Sequence, residues 1–283
     1  MKSMMPSDED VLLDVQRALT EDVGSGDITA ALLPVELTVR AEIISREPMV
    51  VCGQAWAQAA FLAVDSSTTV GWLVGEGAVL NGPATLCVVS GRARSVLTAE
   101  RTALNFLQLL SGTATTTRSY AQQLEGTSTQ LLDTRKTLPG LRRAQKYAVT
   151  CGGGINHRMG LYDAFLIKEN HIKAFGSIKS VIERSRQMHP ERLLEIEVET
   201  LSELRDALDA RPDRVLLDNF SEAMMVEAVR MNQSNDVTLE ASGGVSQSTI
   251  HAIAATGVDY ISVGALTKSV RAIDLSLLIR DDV

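Results

Sequence analysis

Between Arg135 and Lys173 the chain reads RKTLPGLRRAQKYAVTCGGGINHRMGLYDAFLIKENHIK, where Arg135, Lys136, Arg142, Arg143, Lys146, Arg158, Lys168 and Lys173 are offset only by Asp163 and Glu169. The protein as a whole is acidic, with a net charge of −8. A positive island in a negative chain predicts a pocket for small polyanions, because local field rather than net charge draws in such a ligand. Within the island, Arg135 offers a planar fork that grips a carboxylate or phosphate bidentately, and neighbouring Lys136 supplies a point charge. The run CGGGINHRMG matches neither GxGxxG nor the Walker pattern. Its glycines let the backbone approach a ligand and present His157 and Arg158 to it, although a flexible connector would have the same composition. Lys168 ends the apolar run FLIK beside Glu169, Asn170 and His171. It could clamp an anion, form an imine if desolvated, or pair with Glu169.

Carboxylates and glycines follow further along. Glu195, Glu197 and Glu199 alternate with Ile196 and Val198, which would put three carboxylates on one face of a strand. Glu197 and Asp218, at the ends of successive apolar runs, form a pair suited to sugar hydroxyls or to Mg²⁺, which takes one or two carboxylates plus substrate phosphate oxygens. The same two acids could instead merely offset the cations. Ser242-Gly243-Gly244 and Gly264-Ala265 present backbone N–H groups with little side chain in the way, equipment for a terminal phosphate. Cys151, six residues before His157, could in principle serve as a nucleophile with a histidine base. A small core residue beside a glycine turn is the plainer reading.

These residues need elements to hold them. Residues 1–112 mix helix and strand: Asp8–Thr20 and Gly53–Val64 read as helices, and Thr38–Ser45, Thr68–Val74 and Ala84–Ser90 as strands, with Asn81-Gly82-Pro83 as turn punctuation. That pattern predicts an open sheet covered by helices on one side, an N-terminal α/β sandwich. A long helical pattern starts at Ala93, and its interruption at Ser111-Gly112 is taken as the domain boundary. From residue 113 to 283, short apolar runs at Gln130, Ala164, Leu193, Arg214, Val237 and Tyr260 each precede a helix-like stretch. Strand-then-helix units imply parallel strands with right-handed crossovers. Polar groups closing nearly every run favour a (β/α) barrel over a doubly wound sheet, and the last two runs end in SGG and VGA, where barrels carry phosphate loops. A full barrel takes about 250 residues, so an incomplete one of about six to seven strands is expected. The last ten to fifteen residues are expected to pack back on the first domain.

Composition narrows the classes of function. At 283 residues and 45% hydrophobic, the chain can bury a full core. No apolar run approaches the roughly 18 residues that span a bilayer, and Met1–Asp10 is too polar and acidic for a signal peptide, so a cytoplasmic protein without a membrane partner is expected. Three scattered cysteines, Cys52, Cys87 and Cys151, predict free thiols in a reducing compartment. Aromatics at 4% and the acidic balance argue against nucleic acid as a partner.

With DTRKTLPGLRRAQKYAV, GGGINHRMGLYDAFLIKENHI, LEIEVET, LLDNF, EASGGV and VGALT in order, and with EDVGSGDIT and ERTALNFLQLLSGTAT before them, the sequence closely resembles the quinolinate phosphoribosyltransferase family over nearly its whole length. The resemblance implies two domains, a dimer that could assemble further to a hexamer, and Mg²⁺-dependent conversion of quinolinate and phosphoribosyl pyrophosphate to nicotinate mononucleotide, pyrophosphate and CO2 in NAD synthesis. It further implies that Thr134, Arg135, His157, Arg158 and Lys168 form the quinolinate pocket with Lys136 near it. Arg101 would reach the pocket of the partner subunit. Glu197 and Asp218 would hold the ribose hydroxyls and the metal-bound co-substrate, and Ser242, Gly243, Gly244 and Gly264 would cradle the 5′-phosphate. Lys136, Lys168, Glu197 and Asp218 are the expected catalytic residues, whereas Arg142, Arg143 and Lys146, on a helix-like stretch, would tune only the field or the dimer contact. Two rival enzymes share the scaffold, a Schiff-base aldolase using Lys168 and a pyrophosphorylase-like protein associated with molybdate transport. A phosphosugar-binding sensor is a third alternative. The complete HR and IKENH segments favour the quinolinate enzyme.

Overall fold

The computed structural model describes residues 5–233 and 236–280. The first helix, α1 (Asp8–Val23), is capped by the Ser7 side chain and opens with Asp8, Glu9 and Asp10, which complement its N-terminal dipole. There follow β1 (Thr38–Ser45), β2 (Met49–Val50), α2 (Gln54–Val64), β3 (Thr69–Trp72), β4 (Val79–Leu80), β5 (Ala84–Arg92) and α3 (Ala93–Gln122). Then strand and helix alternate: β6 (Gln130–Leu132), α4 (Arg142–Cys151), β7 (Phe165–Ile167), α5 (Glu169–Phe175), α6 (Ile178–Met188), β8 (Leu194–Val198), α7 (Leu201–Ala210), β9 (Arg214–Asp218), α8 (Glu222–Met231), β10 (Thr238–Ser242), α9 (Ile250–Ala255), β11 (Tyr260–Ser262), α10 (Ala265–Lys268) and β12 (Leu275–Arg280).

The chain divides into two compact units. One comprises the chain up to Arg118, Thr137–Gly153 and the chain from Leu266. Its antiparallel sheet runs β12-β1-β5-β3, with β2 and β4 as a separate pair. Alternation along β1 buries Ala41, Ile43 and Ser45, and this face shares one core with Val11 and Val15 of α1, Trp56 and Phe61 of α2, and Leu104, Leu107 and Leu110 of α3. β12 pairs with β1 from Ser45↔Leu275 to Arg40↔Arg280, so the chain's end returns to this sheet. Residues 281–283, part of the same expectation, lie outside the described residues.

The helix interruption expected at Ser111-Gly112 is absent: α3 runs unbroken for 30 residues. Both residues answer to packing instead. The Ser111 hydroxyl is buried between the backbone N–H and carbonyl of Cys52, at 3.0 Å from each. A Cβ at Gly112 would stand 2.2 Å from the carbonyl oxygen of Arg271, so glycine is there for close backbone approach.

The second unit comprises Ser119–Lys136 and Gly154–Ala265. Its six parallel strands are ordered β6-β11-β10-β9-β8-β7. β6 and β7 end the order without a pairing between them among the described residues, and a single parallel bridge, Leu132↔Ile155, adds a vestige of a seventh strand to the free edge of β6. This unit is an incomplete (β/α) barrel, and the first is an open α/β sandwich. Its helices start on sequence-coded caps: Ser177 for α6, Ser221 for α8 and a Thr200/Glu203 capping box for α7. Parallel strands bring every strand's carboxyl end to the same side of the sheet, the side on which such folds bind ligands.

Candidate active site

Asp133, directly after β6, is fully buried and organises the rim. It accepts the backbone N–H of His157 at 2.8 Å on one carboxylate oxygen and the Asn156 side-chain amide at 2.7 Å on the other. The segment around the Ile155 bridge is thereby tied to the end of β6. The Thr134 hydroxyl accepts the N–H of Lys136 (3.0 Å), and the Lys136 side chain then passes over Gly264, where a Cβ would lie 3.0 Å from Lys136 Cδ.

Arg135 and Arg158 converge. The Arg135 Nε is buried without a hydrogen-bond partner. Arg158 is depressed from the usual guanidinium range, first by burial and next by the charge of Arg135, with Glu195 and Asp163 acting in the opposite direction. Asp163 also accepts the N–H groups of Met159 and Gly160 and so fixes the turn after Arg158. Two guanidiniums close enough to repel, one with a buried unmet donor, have the chemistry to receive a carboxylate or phosphate.

His157 is bonded to the backbone of Arg158 and to the acids behind it. Its Nδ1 accepts the Arg158 N–H at 2.7 Å, so the ring proton resides on Nε2, which stands 2.8 Å from Glu195 Oε2 and 3.5 Å from Glu240 Oε2. Arg214 Nη1 is 3.1 Å from the same Glu240 oxygen, and its guanidinium covers the Tyr260 ring at 3.9 Å. Glu195 and Glu240 are both wholly buried. Burial pushes Glu240 up to about 8, aided by the charge of Glu195 and opposed by His157 and Arg214. Burial likewise raises Glu195, against the pull of Arg214 and a hydrogen bond from Glu240. Glu195 Oε1 and Glu240 Oε1 are buried without a hydrogen-bond partner, and the upward shift of both carboxyls favours their protonated, uncharged forms. The ligand atoms of His157, Glu195 and Glu240 lie within 4.8 Å of one another, a spacing that could hold a metal, but Arg214 already supplies the compensating cation.

The three alternating glutamates therefore separate. Glu195 sinks into this buried layer. Glu197 reaches the rim and is ion-paired with Lys168, the two side chains being 13% and 46% exposed. Glu199 falls beyond Val198, where β8 ends, and its N–H joins the Glu203 cap of α7. Asp218 ends β9, the strand beside β8, and accepts the Asn219 side-chain amide at 2.9 Å. Asn219 takes a left-handed φ of 54° and packs on the last loops. Gly243, at φ 96°, has no space for a Cβ, which would sit 2.1 Å from Asn219 Oδ1. Ser242 and Gly244 flank it, and Gly264 follows β11, the other strand of this pair of loops.

Thr134, Arg135, Lys136, His157, Arg158, Lys168, Glu197, Asp218, Ser242, Gly243, Gly244 and Gly264 thus all lie along one end of one sheet. Arg101 is exposed on α3 in the other unit. Arg142, Arg143 and Lys146 also belong to that unit, on α4, where Lys146 is fully buried and Arg143 is ion-paired with Asp10. The basic island is one run of sequence shared between two units. Sequence reasoning missed Asp133, Arg214 and Glu240 as members of the site. A charged residue inside each otherwise apolar run was the available signal.

Models of the quinolinate phosphoribosyl transferase N-terminal and C-terminal domains match residues 27–111 and 113–278. The chain is 43% identical over 272 residues to the nicotinate-nucleotide pyrophosphorylase (carboxylating) of Mycobacterium leprae, covering 93% of this chain and 95% of that one. With the probable enzyme of that name from Bacillus subtilis it shares 38% identity, covering 91% and 89%. The solved nicotinate-nucleotide pyrophosphorylase of Francisella tularensis superposes with a TM-score of 0.96 at 44% identity over 99% of both chains. Set beside the convergent cations and glycine loops of the rim, these matches give one conclusion: the chain belongs to the quinolinate phosphoribosyltransferase family.

Proposed function

We propose that the protein transfers the phosphoribosyl group of phosphoribosyl pyrophosphate to the ring nitrogen of quinolinate with loss of CO2, giving nicotinate mononucleotide and pyrophosphate for NAD synthesis. The observation that carries this reading is the half-buried Arg135/Arg158 pair, in which the Arg135 Nε is sealed from solvent with its donor unmet. Quinolinate is a dianion whose adjacent carboxylates match two converging guanidiniums, and the pairing is far stronger in a closed site than in water. His157 fixes the backbone at Arg158, its ring nitrogens committed to the Arg158 N–H and to Glu195.

Glu197 and Asp218 present hard oxygen donors at the ends of neighbouring strands, which fits Mg²⁺ completed by substrate oxygens and water. When bound, the ion would neutralise charge on the departing pyrophosphate. Lys136, lying over Gly264, adds cationic charge, Lys168 orients Glu197 through their ion pair, and Ser242, Gly243, Gly244 and Gly264 receive the 5′-phosphate through backbone N–H groups. As the bond from the ribose carbon to pyrophosphate breaks, the sugar becomes oxocarbenium-like, and the Glu197 and Asp218 carboxylates stabilise it through its hydroxyls. Attack by the ring nitrogen leaves a quaternary pyridinium. The neighbouring carboxylate then departs as CO2, its electron pair remains on the ring carbon beside the cationic nitrogen, and that carbon takes up a proton. No covalent enzyme intermediate is needed.

We place this chemistry in a cytoplasmic homodimer in which Arg101 enters the partner's site. A Schiff-base role for Lys168 fits less well, since an ion-paired, nearly half-exposed lysine is the opposite of a desolvated amine. The test is formation of nicotinate mononucleotide from quinolinate, phosphoribosyl pyrophosphate and Mg²⁺. Arg135→Ala is expected to raise the KM for quinolinate and cut kcat/KM by about 100-fold or more, with an unchanged melting temperature. Normal turnover by this variant would overturn the pocket assignment.

A further inference from the structure

Cys52 and Cys151, 99 positions apart in sequence, meet in the sandwich unit: their sulfurs and a Glu76 carboxylate oxygen lie within 4.8 Å of one another. Neither cysteine has a part in the transfer reaction as proposed above. Cys52 is completely buried, and its backbone is held on both sides by the Ser111 hydroxyl. Cys151 is the last residue of α4 and is partly exposed. Glu76 already has a task, since its two oxygens accept the N–H groups of Gly53 (2.8 Å) and Gln54 (3.1 Å) at the start of α2, which has no side-chain cap of its own. That leaves the two sulfurs as the reactive part of the cluster.

We propose that Cys151 and Cys52 form a hydroperoxide-reactive thiol pair, in which Cys151 is oxidised first and Cys52 closes a disulfide onto it. The geometry assigns the order: an oxidant reaches the partly exposed sulfur, and the buried one waits beside it. The hydrogen bonding agrees, because the Cys52 thiol and the Tyr147 hydroxyl both donate to the Cys151 sulfur and hold it below the usual thiol range, against desolvation by burial. Burial and the neighbouring Cys151 push Cys52 upward, so it keeps its proton until the second step. In the first step the Cys151 thiolate attacks one peroxide oxygen; an S–O bond forms, the O–O bond breaks, and the departing alkoxide or hydroxide takes a proton. In the second the Cys52 sulfur attacks Cys151; the S–S bond forms, the S–O bond breaks, and the released hydroxide leaves as water with the Cys52 proton. Each sulfur loses one electron and the peroxide gains two.

The experiment treats the native full-length protein with hydrogen peroxide and maps its thiols by mass spectrometry. Expected are loss of two of three titratable thiols, one cross-linked peptide joining Cys52 to Cys151, an unmodified Cys87, and full reversal by dithiothreitol. In Cys52→Ser, Cys151 should proceed to the sulfinic acid. In Cys151→Ser, Cys52 should stay reduced at the same dose, and urea-unfolded wild-type protein should lose the selectivity. Oxidation of Cys87 at a rate equal to Cys151, or Cys151 sulfinate without a cross-link in the wild type, would overturn the proposal. None of these readouts depends on the phosphoribosyl transfer.

Discussion

Glu195 and Glu240 occupy interior positions that barrels of this kind fill with branched aliphatic residues, and burying two carboxyls is tolerable only if they carry less than two charges. Arg214, His157 and the raised proton affinity of the two carboxyls supply that condition. The folded state holds the Glu240 proton up to about pH 8, whereas the unfolded chain releases it near its ordinary value of 4.5. The folded state thus binds more protons between those limits, and this group's contribution to stability falls as pH rises through the window. Glu240→Gln keeps the shape and removes the ionisation, so melting temperatures measured from pH 5 to pH 8 should decline less steeply than in the wild type. Glu240→Ala opens a cavity and strands Arg214, and should melt lower at every pH. Equal slopes for wild type and Glu240→Gln would contradict a buried, protonated Glu240. The strand-end positions of Arg135, Lys168, Glu197 and Asp218 were legible in the sequence because polar groups ending apolar runs mark strand ends, whereas His157 and Arg158 were singled out by a glycine turn that a plain connector would share, and by the family resemblance. The layer beneath was not legible, since which of Glu195, Glu197 and Glu199 turns inward depends on where β8 stops, at Val198, and on partners such as Arg214 and Glu240 that only cross-strand register brings near.

At the scale of elements, apolar runs and alternation located the parallel strands and β1 with little error, because a strand buried on both faces, or on one, writes that burial into its composition. The failure was α3. Ser-Gly is an ordinary stop signal, and only the Arg271 carbonyl and the Cys52 backbone, both distant in sequence, explain why the helix carries it without ending. Gly112→Ala sets two effects against each other. Alanine in a helix interior gains about 0.5–1 kcal/mol over glycine, but forcing a Cβ to 2.2 Å from a backbone oxygen requires two backbones to part. Overpacking of that kind costs about 1–3 kcal/mol, so the variant should be destabilised on balance. The melting temperature should fall by about 2–4 °C for each kcal/mol lost. A rise would mean that the packing of α3 at this point gives way more easily than the close approach implies.

At the scale of the molecule, the question is whether one chain carries a whole site. The second unit collects the rim cations, the carboxylates and the glycine loops, but the dianion and the polyphosphate it is proposed to join together carry more negative charge than that rim offsets, with Lys168 neutralised by Glu197 and Arg158 partly by Asp163 and Glu195. Arg101, exposed on α3, is the cation that we propose a second copy contributes. The proposal has a consequence that a single-chain site lacks. Arg101→Ala and Arg135→Ala should each be nearly inactive alone, because every site in either homodimer lacks one arginine. When the two are mixed and allowed to exchange subunits, half of the sites in each mixed dimer carry both defects and the other half carry none. For a twofold dimer at equal mixing, roughly a quarter of all sites should regain full activity. Restored activity that rises with exchange time and saturates near that level requires the two arginines of one site to come from different chains. Mixtures that stay inactive, while gel filtration confirms exchange, would place Arg101 in its own chain's site, and an Arg101→Ala homodimer that is fully active by itself would put it outside the chemistry altogether.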